Sequence, residues 1–161
     1  MRFSIEVEEL LQKNNLNYTL KDLSRPWGGF YVINENLSGK FLDLFFDTKF
    51  KNKIDFKTKL SPKFLLIKPN KRLSWQYHNR RSEIWSVIKG NILVSMSEND
   101  NEGDHFKLIA KDQIEIGNKI RHRIIGTEDY ALVAEIWIHT DKSNPSNEND
   151  IIRLQDDFNR N

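Results

Sequence analysis

The sequence predicts an all-β fold, an antiparallel sandwich or barrel, with helices confined to the N-terminal region. Three observations carry this reading. From Lys63 onward the chain breaks into short β-type runs separated by turn residues. Tyr130 to His139 alternates strictly, with Ala131, Val133, Glu135 and Trp137 on one face and Leu132, Ala134, Ile136 and Ile138 on the other. Before residue 60 the apolar spacing is helical instead.

In order along the chain, Ser4 is placed to cap a helix over residues 5–14, with Ile5, Val7, Leu10 and Leu11 near one face and Asn14-Asn15 as its stop. Ser24 to Gly29 reads as a loop, because Pro26 and two glycines interrupt regular structure. Phe30 to Ile33 reads as a short strand. Leu37 to Phe46 is a second helix whose Phe41, Leu44 and Phe45 would cover the outside of a sheet, stabilising it or forming a homodimer contact. Lys49 to Lys59 is basic, weakly patterned and reads as a solvated loop. Eight strands then follow: Phe64–Lys68, Leu73–Tyr77, Glu83–Ile88, Asn91–Met96, Phe106–Ala110, Gln113–Ile116, Arg121–Ile125 and Tyr130–His139. Lys89-Gly90-Asn91 has the signature of a tight hairpin, Ser97 to Asp104 is a polar hairpin loop and Lys111-Asp112 is a further turn. Asp141 to Asp150 is polar, holds Pro145 and reads as surface.

Composition narrows the classes. A chain of 161 residues is expected to form one domain, with 1–60 a partly helical extension and 61–140 the barrel core. Net charge is +2, so no general affinity for nucleic acid or membrane follows. No cysteine is present, which removes disulfides and thiolate metal sites. The N-terminus is too charged for a secretory signal and no apolar run approaches a membrane span, so a cytoplasmic protein is expected.

The chemistry-bearing stretch is Lys71 to Gly90. Gln76 and His78 are two apart and can leave one strand on the same side, while Glu83 shares parity with Trp85 and Val87. If those strands close into a barrel, three ligand-type side chains meet inside, and a fourth must come from elsewhere. Taken alone, each histidine reads as an ordinary polar residue. Two of them in register with a glutamine and a glutamate read as a metal site.

These residues carry a resemblance. Asn70, Gln76-Tyr77-His78, Glu83 and Gly90 follow the spacing of the first cupin motif, with Asn70 in place of its glycine and Gln in place of its first histidine. Gly117 to His122 falls on the second motif, keeping the ligand position at His122 but departing from Pro and Gly at Gly117 and Lys119. The Gln-x-His form followed by Arg81-Ser82-Glu83-Ile84-Trp85 resembles the phosphomannose isomerase domain of the bifunctional mannose-1-phosphate guanylyltransferase/phosphomannose isomerases. Arg25-Pro26-Trp27-Gly28 is similar to that domain's opening, and Ile151 to Arg160 to its closing segment with Phe158 for Tyr and Asn159 for Gly. The resemblance thus runs from about residue 25 to the end. Related single-domain proteins are sometimes named phosphoheptose isomerase.

The resemblance implies a cupin fold, a jelly-roll-like double-stranded β-helix, and a divalent metal held by Gln76, His78, Glu83 and His122. Zinc is the first choice, with iron, manganese and nickel as alternatives. It implies mannose 6-phosphate and fructose 6-phosphate as substrates. Arg80, Arg81, Arg153 and Arg160 are candidates for clamping the phosphate, since guanidinium binds it bidentately. The alternative for each is a surface ion pair. Glu135 is the candidate acid/base on physical grounds: a carboxylate in so apolar a strand is costly to bury unless paired. The competing reading solvates that face. His105 reads as a surface residue and His139 as a strand-end residue. Two other classes stay open: a sugar-sensing metal-binding module without turnover, and a nucleotide-sugar-modifying cupin such as an epimerase.

Overall fold

The computed structural model describes residues 2–160. Two antiparallel sheets face one another across an apolar interior. The first has six strands, β1 (Tyr18–Asp22), β2 (Gly28–Ile33), β3 (Lys63–Ile67), β10 (Ala131–His139), β5 (Arg81–Lys89) and β8 (Gln113–Ile116), in that spatial order. The second has five, in the order β11 (Ile152–Gln155), β4 (Trp75–Tyr77), β9 (Arg121–Gly126), β6 (Asn91–Ser97) and β7 (His105–Ile109). Among the described residues no helix is long and apolar enough to cross a membrane.

Strand alternation sorts the side chains. Leu65 and Ile67 of β3, Trp85 and Val87 of β5, and Ala131 and Val133 of β10 point between the sheets, where they meet Ile92, Val94 and Ile124. The intervening Phe64, Leu66, Ile84, Leu132, Ala134 and Ile136 face outward and are covered by helices α1 (Arg2–Lys13) and α2 (Ser38–Phe45). The six-stranded sheet is therefore buried on both faces, which explains its near-continuous apolar strands. Phe41 of α2 is fully buried, its ring centroid 5.0 Å from Phe64, 5.1 Å from Phe45 and 6.1 Å from Phe46. Phe41→Ala should cost about 3–5 kcal/mol, the usual price of deleting a buried aromatic ring. Equilibrium denaturation would show it as a lower midpoint, and a loss under 1 kcal/mol, roughly a surface-mutation effect, would refute the packing role.

Several expectations need correction. The first helix begins at Arg2, so Ser4 lies inside it rather than capping it, and Ile5 is exposed while Val7 and Leu11 are buried. Leu44 is also exposed, while Phe45 packs on Phe64 at 5.2 Å as expected, so Phe41, Leu42 and Phe45 carry the contact. Gly28 and Gly29 belong to β2 rather than a loop: β3 passes so close that a Cβ on Gly28 would fall 1.7 Å from the Leu66 carbonyl oxygen. The stretch 49–59 is not simply solvated. Thr48–Lys51 forms a short helix, α3, and Phe50 and Ile54 are buried against the sheet's outer layer. Lys89-Gly90-Asn91 is a tight turn but not a hairpin, because β5 and β6 lie in different sheets. Gly90, at φ +74°, turns this corner against the Tyr130 carbonyl, where a Cβ would be 2.5 Å from the oxygen. The strands β1 and β11 were not expected. Finally, 141–150 is not all surface: Ser146 and Asp150 are buried.

Candidate metal centre

Two of the three departures in the cupin motif turns, Asn70 and Lys119, are conformationally accommodated. Asn70 stands at φ +54° and Lys119 at φ +63°, so both residues adopt the left-handed conformation that glycine favours. The backbone N–H of Lys119 donates to the carbonyl of His78 at 3.0 Å, tying the two motif loops together. Register does the rest. Gln76 on β4 lies directly opposite His122 on β9. On the other sheet, Glu83 and Trp85 of β5 face Trp137 and Glu135 of β10.

His78, Glu83 and His122 are all buried, and each offers a donor atom within 4.8 Å of the others. His78 Nε2 is 3.2 Å from Glu83 Oε1, and His122 Nε2 is 3.7 Å from Glu83 Oε2. Both imidazoles bond a backbone carbonyl through Nδ1, His78 to Asp150 at 2.6 Å and His122 to Ile120 at 2.8 Å. A carbonyl only accepts, so Nδ1 carries a proton in each ring and Nε2 is the nitrogen turned to the cluster. His122 Nε2 is buried and makes no hydrogen bond. Burial pushes the His122 imidazole down to about 4, so it is neutral at physiological pH. Burial opposes ionisation of Glu83, but His78 and Arg81 beside it hold the carboxyl well below the usual range. Two imidazole rings and an ionised carboxylate are donor types that a divalent cation such as zinc takes, and the orphaned Nε2 of the neutral His122 fits a ligand role. Gln76 lines the adjoining cavity with Glu83, its Oε1 accepting a 2.6 Å bond from Ser74.

That cavity has a volume of about 280 Å³. Glu135 lines it and is 5% exposed, so the face is not solvated. Trp85 Nε1 donates to Glu83 at 3.0 Å and to Glu135 at 3.2 Å, and Trp137 Nε1 donates to the other Glu135 oxygen at 3.0 Å. Burial first, and then the neighbouring Glu83 carboxylate, push Glu135 up to about 8. Two carboxyls side by side are thus driven apart in acidity, a pattern that separates acid/base roles.

The arginines divide. Arg81 is buried, donating to Glu83 Oε1 at 2.9 Å and to His78 Nε2 at 3.1 Å, with its guanidinium carbon 3.5 Å from the Trp137 ring centre. Arg153 and Arg160 line the cavity, the latter also paired with Asp156 at 2.6 Å. Arg80 is not among the lining residues; its backbone N–H bonds Asp150 at 3.0 Å. His105 is exposed beside Glu102. His139 is buried away from the cluster: Nδ1 accepts from the Ser146 N–H at 2.9 Å, leaving Nε2 to donate to Ser61 Oγ at 3.1 Å. Ser61 is therefore not activated as a nucleophile.

Sequence reasoning missed Lys63, Arg25, Glu148 and Asp150. Lys63 had a signal, being the one charge in KFLLI and sharing inward parity with Leu65 and Ile67. It is buried over the Trp137 ring at 3.7 Å and paired with Glu148. Arg25 stood in the Arg-Pro-Trp-Gly stretch already singled out and lines the cavity.

Residues 48–156 match the sequence model of the family described as mannose-6-phosphate isomerase C-terminal. The chain belongs to that family. The match spans every residue of the His78–Glu83–His122 cluster together with Gln76, Glu135 and Arg153, and leaves Arg25 and Arg160 outside it. Among solved structures, oxalate decarboxylase from Bacillus subtilis aligns at a TM-score of 0.60 with 15% identity, covering 84% of this chain and 30% of its own. A cupin 2 conserved barrel domain protein from Salinispora arenicola aligns at 0.43 with 16% identity, over 48% of this chain and 61% of that one. A Bacillus halodurans protein aligns at 0.48 with 17% identity, over 54% and 67%. This chain therefore spans less than a third of the decarboxylase. A search of curated proteins found no match. The fold is a cupin: two facing antiparallel sheets with helices packed outside one of them.

Proposed function

We propose that this chain is a metal-dependent aldose–ketose isomerase of sugar phosphates, interconverting mannose 6-phosphate and fructose 6-phosphate. The observation that carries the reading is Glu135: a buried carboxyl, pushed up to about 8, on the wall of a cavity it shares with Glu83 of the His–Glu–His cluster. A base works best with its acidity near the working pH. Gln76, His78, Glu83 and His122 would hold the metal, zinc by preference. Bound there, a divalent cation would supply Lewis-acid polarisation of the sugar carbonyl.

The remaining chemistry belongs to the chain's own side chains. In the ketose-to-aldose direction the Glu135 carboxylate takes a proton from C1. The C–H electron pair becomes the C1=C2 bond and the carbonyl electrons move to O2. Return of the proton to C2, with the O1 proton passing to O2, completes the aldose. Trp85 and Trp137 hold the carboxyl in place through both oxygens. Arg153 and Arg160, with Arg25, supply the cationic side of the cavity for the phosphate. Arg81 is already engaged with Glu83 and His78, so its contribution is to the charge balance of the cluster. Arg80 is left out of the clamp, because it does not line the cavity. A volume of about 280 Å³ lies just under the usual range of ligand pockets, roughly 300–1,000 Å³, and supports a monosaccharide phosphate over a nucleotide sugar.

The test is incubation of the zinc-loaded protein with fructose 6-phosphate in heavy water. Mannose 6-phosphate carrying deuterium at C2 is the expected product, since a proton on the base exchanges with solvent. A loaded, folded protein that binds the sugar phosphate but yields no product would replace the isomerase reading with a sensing module.

A further inference from the structure

We infer that Asp150 is a positioning residue that fixes the ring orientation of His78. It lies in the polar segment after β10, yet is only 4% exposed. Its carboxylate accepts from the backbone N–H of Asn79 and of Arg80, each at 3.0 Å, and from the Ser146 hydroxyl at 2.6 Å. Its own carbonyl accepts the His78 Nδ1 proton at 2.6 Å. One residue therefore holds three consecutive positions of the turn that follows β4, and His78 is the first of them.

The consequence is chemical. With Nδ1 donating to a carbonyl, Nε2 is the ring nitrogen left for the cluster, 3.2 Å from Glu83 Oε1 and 3.1 Å from the Arg81 guanidinium. The strap itself is anchored from the other end. The Ser146 N–H bonds His139 at the end of β10, and the Ser146 hydroxyl oxygen accepts from Arg81 at 2.8 Å. Removing the Asp150 carboxylate would leave two backbone N–H groups without acceptors and release the turn. The carbonyl of residue 150 would then no longer be held against the ring. Partners of this kind that orient a ligating histidine typically change metal affinity by about 10–100-fold when lost.

The metal arm of the test rests on the proposed function above; the tautomer arm does not. Full-length wild type, Asp150→Ala, Asp150→Asn and Ser146→Ala are compared, metal-free, by nitrogen–proton correlation NMR of the histidine rings. Zinc affinity is measured alongside by competition with a chromophoric chelator. Wild type should show His78 protonated on Nδ1. Asp150→Ala should give a mixture of tautomers and a zinc affinity about 10–100-fold weaker. Asp150→Asn keeps one acceptor and should fall between, which serves if the alanine variant does not fold. Ser146→Ala leaves the clamp on 78–80 intact and should stay within about threefold of wild type, well short of the loss expected from a missing orienting partner. Wild-type His78 protonated on Nε2, or an aspartate variant with unchanged tautomer and affinity, would overturn the inference. If wild type binds no zinc, the metal reading falls, and the tautomer comparison alone decides the role of Asp150.

Discussion

In His122→Ala, added zinc should no longer raise the unfolding temperature, and turnover should drop to background. A cation that binds only the folded state stabilises it by about 4 kcal/mol at a thousand times its dissociation constant, so the wild-type shift is easily read. His122 is the only member of the cluster supplied by β9, and its Nε2 makes no bond to protein. Its removal therefore subtracts a donor from the metal and breaks no side-chain contact of Glu83 with Arg81 or Trp85. In the metal-free protein two effects oppose. The alanine leaves a cavity, but it also deletes a buried nitrogen whose missing bond costs about 1–3 kcal/mol. The metal-free midpoint should thus stay near that of wild type while the zinc-induced shift vanishes. A variant that kept the shift would remove His122 from the ligand set.

Much of this architecture is legible in the sequence, for specific physical reasons. The eight strands from β3 to β10 announce themselves because alternation and turn residues repeat at short spacing. That Glu135 and Trp137 share one face of β10 follows from parity alone; that the face is buried rather than solvated is decided by the opposite sheet. The strands β1 and β11 are short sheet edges: Tyr18 and Leu20, and Ile152 and Leu154, do alternate with polar residues, but over only four or five positions and with the apolar side chains exposed, which is too little pattern to mark a strand. The turn at Gly90 was legible as a turn, but whether its flanking strands pair is decided by the approach of the Tyr130 backbone, forty residues on. The donor side chains of the cluster were legible because chemistry limits them to a few residue types. Asp150 was not, since its partners are backbone groups some 70 positions away. Nothing in local composition marks such a contact.

Glu135→Gln separates the base from the fold. Turnover should fall by roughly 10²–10⁴-fold, the usual contribution of a general base, while zinc still binds. Wild-type kcat/KM should rise with pH and then level, because the carboxyl must lose its proton to act; a cation bound beside Glu83 favours the ionised form, so the limb should lie below the metal-free value of about 8, and the residual rate of the variant should lack it. The same group makes a second, independent signature in the metal-free protein. Burial raises the folded-state value from 4.5 to about 8, so between those values the folded chain holds a proton that the unfolded chain has released. Its contribution to stability is complete below about pH 4.5 and is lost as pH rises through 8. Across that window wild type should lose on the order of 3–5 kcal/mol relative to Glu135→Gln, whose amide does not titrate. Denaturant midpoints of both proteins at pH 5 and pH 8 measure the difference directly. Parallel pH dependence in the two would mean that Glu135 is ionised throughout. Loss of turnover with parallel stability curves would keep Glu135 in the reaction and assign its ionisation to the indole donors of Trp85 and Trp137, which engage both its oxygens.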